Sequence, residues 1–320
     1  MSRRRSLHLV IGLALVLIVA GAVLISYVWL PYAPDDTSGG RLTPPSGDHL
    51  LGTDKLGRDL FTQLLIGGRI AIGTALGAVA VGGVLGVSAG LLAGFAQRWL
   101  DDAFAVVLDI LIAFPTLLLA MLIVAGTGAS LGTAILAIGL AMAAIVARLV
   151  RVLVKQVLAR DYITAARIAG VSWPRIVAGH ILPNIGPVVM VNLALQAGLA
   201  VLAEASLSYL GLGTPPPNAS WGRMLYEAQA TVLTSPVAAL APGIALVVLV
   251  VGMNLTADGL RDLTDPARRR GRAAAPADTP DPFDLADYTT VVDPALTAAS
   301  ADGSDSAPAD GSDSVRRGLR

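Results

Sequence analysis

Residues 151–183, RVLVKQVLARDYITAARIAGVSWPRIVAGHILP, decide how the chain must be arranged. The apolar run on either side is long enough to cross a bilayer, yet this stretch carries Arg151, Lys155, Arg160, Arg167 and Arg175. Cations in that number are too unfavourable in hydrocarbon, so the segment lies in water between two spans. Its internal pattern predicts two short helices joined at a glycine. Asp161 is placed to cap a helix through Ala169, and Gly170 supplies the turn at its end, where φ becomes positive. Ser172 is placed to cap a second helix that carries Pro174 in its first turn and stops near Pro183. Thr164, Ala165 and Ala166 would offer a low surface to another protein. A plain basic loop at a membrane surface satisfies the same caps and turns.

Composition sets the class. The chain has 320 residues, of which 54% are hydrophobic and 14% charged, and its mean hydropathy is +0.69. An aqueous core does not absorb that much apolar sequence, so the class is a polytopic membrane protein. With no cysteine, disulfides, thiolate metal sites and cysteine nucleophiles are excluded. The two lysines, Lys55 and Lys155, follow no glycine-rich loop, so the chain has no phosphate cradle of its own and is not its own ATPase.

Six spans are expected, at residues 7–30, 70–95, 103–126, 131–150, 184–203 and 237–257. Arg3, Arg4 and Arg5 precede the first, which is too long for a signal-peptide core and is read as an anchor. Residues 31–69 form a turn-rich loop with one short amphipathic helix over 59–67. In the second span Gly82, Gly86, Gly90 and Gly94 recur every fourth residue, a stripe that lets a neighbouring helix approach closely. The same stretch, Gly86-Val87-Ser88-Ala89-Gly90, matches the G-x-S-x-G nucleophile pattern. That pattern needs a strand-turn-helix setting, so the packing reading is preferred. The third span carries Pro115 and also Asp109, whose carboxylate must face protein or water. No second ionisable residue is expected beside it, which favours a packing or gate hydrogen bond over a proton relay. Asn192 and Gln196, at i and i+4 of the fifth span, could line a translocation path or bond across helices. Glu204 opens a second loop, where Pro215, Pro216 and Pro217 forbid a long helix. Of the 23 Lys/Arg, Arg41, Lys55, Arg58, Arg69 and Arg223 fall on the loop side. The 18 left over on the other side predict that both termini are cytoplasmic. Residues 267–320, rich in Ala, Asp, Pro and Ser, read as disordered.

Four segments resemble known sequences. Ala165-Ala166, Gly170, Ile176 and His180-Ile181-Leu182-Pro183 are similar to the EAA loop of ABC importer permeases, the cytoplasmic segment that docks on the ATPase subunit. That pattern usually opens with glutamate, where this chain has Thr164, so any ion pair of that glutamate is missing. HLLGTDKLGRDLFTQLLIGGRI (49–70), EASLSYLGLGTPPPNASWGRML (204–225) and MNLTADGLRDLTDP (253–266) resemble signatures of the dipeptide/oligopeptide/nickel branch of these permeases. The resemblance implies an all-α type I ABC importer permease fold with six transmembrane helices and cytoplasmic coupling helices.

It divides the chain into an N-terminus and first helix (1–30), an outside loop (31–69), a permease core (70–260) containing the coupling loop, and a tail (261–320). It further implies that Asp161, Thr164, Ala165, Ala166, Gly170, Arg175, His180 and Pro183 belong to the surface that couples to the ATPase. The implied partners are a second homologous permease subunit, two ATPase subunits, an extracytoplasmic substrate-binding protein and membrane lipid. No nucleic acid, cofactor, metal or catalytic residue is expected in this chain. Di- or oligopeptides are the favoured cargo and nickel chelates the alternative. A proton-coupled secondary transporter is disfavoured because Asp109 stands alone, and an intramembrane serine hydrolase because His8, His49 and His180 fall at or beyond membrane edges.

Overall fold

The computed structural model describes residues 2–215 and 218–264. The described residues form α1 (Ser2–Val28), α2 (Leu60–Phe95), α3 (Arg98–Ala113), α4 (Thr116–Thr127), α5 (Leu131–Leu158), α6 (Asp161–Ile168), α7 (Trp173–Ile176), α8 (Leu182–Tyr209), α9 (Trp221–Ala228) and α10 (Val237–Thr264), with a π-helical turn, Val177–Ile181, before α8. Five helical segments are long and apolar enough to cross a membrane, and the bent pair α3–α4 makes a sixth if it counts as one span. The reading of residues 267–320 lies outside the described residues.

The most extensive helix pair is α2 against α5, and the glycine stripe faces that contact. A Cβ on Gly86 would stand 2.6 Å from Val146 Cβ and 2.8 Å from the Ala143 carbonyl, and one on Gly90 would stand 2.6 Å from Val150 Cβ. Gly94 meets Val154 in the same way, at 2.6 Å, and Gly82 meets the Gly139 carbonyl and Met142 at 3.0 Å. Such spacings exist only because no side chain stands between the helices. In a second helix pair α1 and α10 run antiparallel, Gly12 lying against Leu255 and Thr256 and Gly259 against Leu9. Ser88 lies on the exposed face of α2, away from the stripe.

Several boundaries differ from the sequence reading, each for a physical reason. The amphipathic helix expected over 59–67 and the second span are one helix, because Gly67 and Gly68 stay helical. A Cβ on Gly67 would lie 2.5 Å from Trp221 Cδ1, and the indole Nε1–H donates to the Leu64 carbonyl at 2.9 Å. The tryptophan thus packs on bare backbone. At 1.5 Å per residue the 36-residue α2 is about 54 Å long, well beyond a hydrocarbon core of about 30 Å. The third span is not a single rod. It breaks at Phe114-Pro115 and bends by 87°, since proline lacks the N–H and its ring collides with the preceding turn.

Residues 151–158 belong to α5 and not to a loop. Arg151 and Lys155, one turn apart, both reach Asp101 on α3, the Arg151 Nε contact being 2.6 Å. Asp109 does have an ionisable partner, contrary to expectation: Arg148 Nη1 lies 3.0 Å from its Oδ1, with both side chains more than half exposed. The packing of α3 against α5 brings the two together. Finally, the helix does not stop near Pro183. Leu182 N–H bonds to the Val177 carbonyl five residues back, and this wider turn admits the proline ring, so the helix continues to Tyr209. Glu204 therefore lies inside α8 rather than opening a loop. It is 1% exposed, and Ser208 Oγ donates to its Oε1 at 2.6 Å.

Candidate functional site: the α6–α8 elbow and the loop-side clamp

The elbow is built from the end of α5. A hydrogen bond from Ala159 N–H to the Lys155 carbonyl closes that helix, and Arg160, in extended conformation, precedes α6. Asp161 is the first residue of α6 rather than its cap; Arg160 holds the cap position, and its side chain makes no capping hydrogen bond. Ser172 does precede α7, with Pro174 in the first turn, but it too lacks a side-chain capping bond.

Gly170 has φ +77°. Its N–H bonds to the Arg167 carbonyl at 3.0 Å, and Val171 N–H bonds to the Ala166 carbonyl at 3.0 Å. This pair of bonds is the Schellman closure, which needs a left-handed residue at this position. The helix ends where it does because only glycine enters that region without strain.

Three isoleucines hold the elbow to the spans. Ile163, Ile176 and Ile181 are at most 1% exposed and pack with Val146, Val150, Val154, Ile185 and Val189 of α5 and α8. Burying each contributes about 1.5 to 3 kcal/mol, so the elbow moves with those helices rather than swinging freely. The opposite face is open: Asp161, Thr164, Ala165, Arg167, Ala169 and Gly170 are exposed, and Ile168 is 84% exposed. Ala166 is half-buried, Arg175 exposed and His180 half-buried, its ring 6.1 Å from that of Tyr162. Pro183 sits in the first turn of α8.

Sequence reasoning passed over Arg167 and Trp173. The guanidinium carbon lies 4.9 Å from the indole centroid, and Phe95 meets the same indole edge-on at 5.2 Å. The aromatic residue just after Gly170, six positions from a cation, was the available signal. Asp161→Ala is expected to alter elbow stability by no more than about 0.5 kcal/mol, the range of ordinary surface substitutions, because Asp161 is exposed and does not hold the cap position. Thermal unfolding of the detergent-solubilised protein checks this.

At the other end of the spans, two of the signature-like segments meet. Asp54 Oδ1 accepts from the Leu56 and Arg58 amides at 2.7 and 3.0 Å. Arg58 bonds through Nε to Asp54 Oδ2 at 2.7 Å and through Nη2 to Glu227 Oε2 at 3.0 Å, while Arg223 Nε reaches Glu227 Oε1 at 2.9 Å. One chain of charges thus ties the 49–59 loop to α9. Beside it Asp59 caps α2, accepting from Thr62 N–H at 2.8 Å and Thr62 Oγ1 at 2.9 Å, with His49 Nδ1 at 3.0 Å. Asp59→Ala should therefore destabilise the loop side by at least the value of a helix cap, about 0.5 to 2 kcal/mol, because His49 also loses its partner. A lowered unfolding temperature with normal membrane insertion is the expected result.

Asn192 and Gln196 lie on α8. Gln196 is 4% exposed, and its Nε2 has no hydrogen-bond partner; the Asn192 Oδ1 likewise has none. Gln196 borders a groove of about 240 Å³ that is also lined by Thr116, Leu117, Ile138, Met142 and Leu199. Among the described residues no group of three or more His, Cys, Asp or Glu is arranged to hold a metal ion.

Comparison with known proteins places this architecture. Residues 82–270 match the family described as binding-protein-dependent transport system inner membrane component. The chain is 39% identical over 235 residues to the dipeptide transport system permease protein DppC of Alkalihalophilus pseudofirmus, covering 73% of this chain and 77% of that one. It is 37% identical over 268 residues to the glutathione transport system permease protein GsiD of Pectobacterium atrosepticum, covering 82% and 88%. It is 36% identical over 271 residues to the nickel transport system permease protein NikC of Escherichia coli, covering 83% and 96%. The family match takes in the glycine stripe, the elbow, the α9 side of the clamp and the last span, and with these relatives it shows that the chain belongs to the inner-membrane permease components of binding-protein-dependent ABC importers.

Proposed function

We propose that the chain forms half of the translocation pathway of an ATP-driven importer for di- or oligopeptides. It acts with a second homologous permease subunit, two ATPase subunits and an extracytoplasmic substrate-binding protein, and both of its termini are cytoplasmic. The observation that carries the coupling role is the α6–Gly170–α7 elbow, buried on its isoleucine side and open on the side of Thr164, Ala165, Arg175 and Ile168. An ATPase groove that receives the open face pulls on α5 and α8 through Ile163, Ile176 and Ile181, because packed side chains transmit displacement with little compression. Ion-pair chemistry on the docking face falls to Asp161, Arg167 and Arg175, since the usual glutamate position is Thr164. The loop-side clamp, held by Arg58 and Glu227, faces the binding protein.

The relative named for dipeptide transport, at 39% identity, supports a peptide cargo. The relative named for nickel transport, at 36%, supports a nickel-chelate reading as the alternative. The test is reconstitution of this chain in nanodiscs with the ATPases and binding protein encoded beside it. Hydrolysis stimulated by dipeptide-loaded binding protein supports the proposal. Stimulation only by a nickel-loaded binding protein shifts the cargo to nickel, and no stimulation by either refutes the coupling role.

A further inference from the structure

The groove between α4, α5 and α8 holds donors without acceptors. Met142 is the twelfth of 28 residues in α5 and Gln196 the fifteenth of 28 in α8, so the groove lies near mid-length of both spans. The break at Pro115 starts α4 at this depth, and no side chain caps it. Its first hydrogen bond runs from Leu119 N–H to the Pro115 carbonyl at 3.0 Å, which leaves the Thr116, Leu117 and Leu118 amides ahead of the ladder. Thr116 and Leu117 line the same groove as Gln196, whose Nε2 is buried and unpartnered.

A buried donor without an acceptor, as Gln196 Nε2 is, is strongly unfavourable in hydrocarbon. Acyl chains offer no acceptor, so lipid is a poor occupant. The positive end of a 12-residue helix and an amide N–H together favour an oxygen anion. Apart from Ser206, whose hydroxyl donates to the Leu202 carbonyl at 2.8 Å, the remaining walls, among them Leu117, Ile138, Met142 and Leu199, are apolar and suit a side chain beside that anion. A half-helix terminus at the membrane midplane is a known way to hold an anionic substrate group.

We propose that this groove is a transient subsite for the carboxylate end of a short peptide, held by the start of α4 and by Gln196. The assignment rests on the peptide reading above. In transport the subsite lets the peptide exchange water for fixed donors midway across, with its C-terminal side chain in the apolar part of the groove.

The experiment compares wild type, Gln196→Leu and Gln196→Glu in the complete reconstituted transporter with binding protein saturated by alanyl-phenylalanine. Both substitutions are expected to cut dipeptide uptake per ATP hydrolysed, by roughly tenfold for Leu and more for Glu, whose carboxylate repels the cargo. Hydrolysis should remain within about twofold of wild type. Variant uptake within about twofold of wild type, with a raised unfolding temperature for Gln196→Leu, overturns the proposal and marks a lipid-filled groove. Loss of the second permease from the purified Gln196→Leu complex also overturns it and marks a subunit contact. Equal loss for Leu and Glu overturns the carboxylate assignment. A wild-type complex that moves no dipeptide at all refutes the peptide reading itself, whereas wild-type transport with unaffected variants refutes the groove alone.

Discussion

Replacing Gly86 with leucine is expected to abolish assembly of the membrane core. The position Cβ would take is 2.6 Å from Val146 Cβ and 2.8 Å from the Ala143 carbonyl, closer than real side chains approach. Relief requires α2 and α5 to separate, and they form the fold's most extensive helix contact. Because Gly82, Gly90 and Gly94 share that contact, separation at one point loosens the others. Overpacking typically destabilises by about 1 to 3 kcal/mol, and a branched side chain against rigid backbone belongs at or above the top of that range. In a membrane the loss falls on close packing, which drives helix association there. Ser88→Ala, two residues away on the exposed face, serves as the comparison and should leave assembly and transport unchanged. Monodisperse purification and retention of the partner subunits give the readout. A Gly86→Leu protein that assembles normally would show the close approach to be dispensable.

The second large effect is expected at Gly170. No neighbouring atom lies within 4 Å of where its Cβ would be, so Gly170→Val meets no steric obstacle, and its whole effect acts through the backbone. At φ +77° a β-branched residue is strained by about 1 to 3 kcal/mol. Relaxing that strain undoes the bonds to Arg167 and Ala166 that terminate α6 and re-aims its open face. Coupling energies of that size correspond to roughly 5- to 150-fold, so ATPase co-purification and stimulated hydrolysis should fall within that range. The spans should still insert, since Ile163 and Ile176 remain buried against α5 and α8. Gly170→Asn, which tolerates the left-handed region, should recover most of the loss. Wild-type docking by Gly170→Val would reduce the elbow to an ordinary basic loop.

What the sequence by itself determined was whatever depends on neighbours along the chain. Apolar runs long enough to span mark the membrane helices, the cations at 151–175 keep the elbow out of hydrocarbon, and Gly170 announces its positive φ through the lack of a side chain. The glycine stripe was legible for the same reason, a period of four on one helix face. Tertiary structure alone decided the rest. Pro115 and Pro183 are both prolines inside apolar stretches, yet one bends its span by 87° and the other is absorbed by a π turn. A proline removes the same N–H in either place, and the packing around it selects the response.

Partners of charged groups were equally invisible. Arg58 and Glu227 are 169 positions apart, and Asp109 meets Arg148 only because α3 packs against α5. The groove at Gln196 belongs to the same class. One amide on one helix says nothing of burial until α4 and α5 close over it, and the unfilled donors at the start of α4 exist only because the span breaks there.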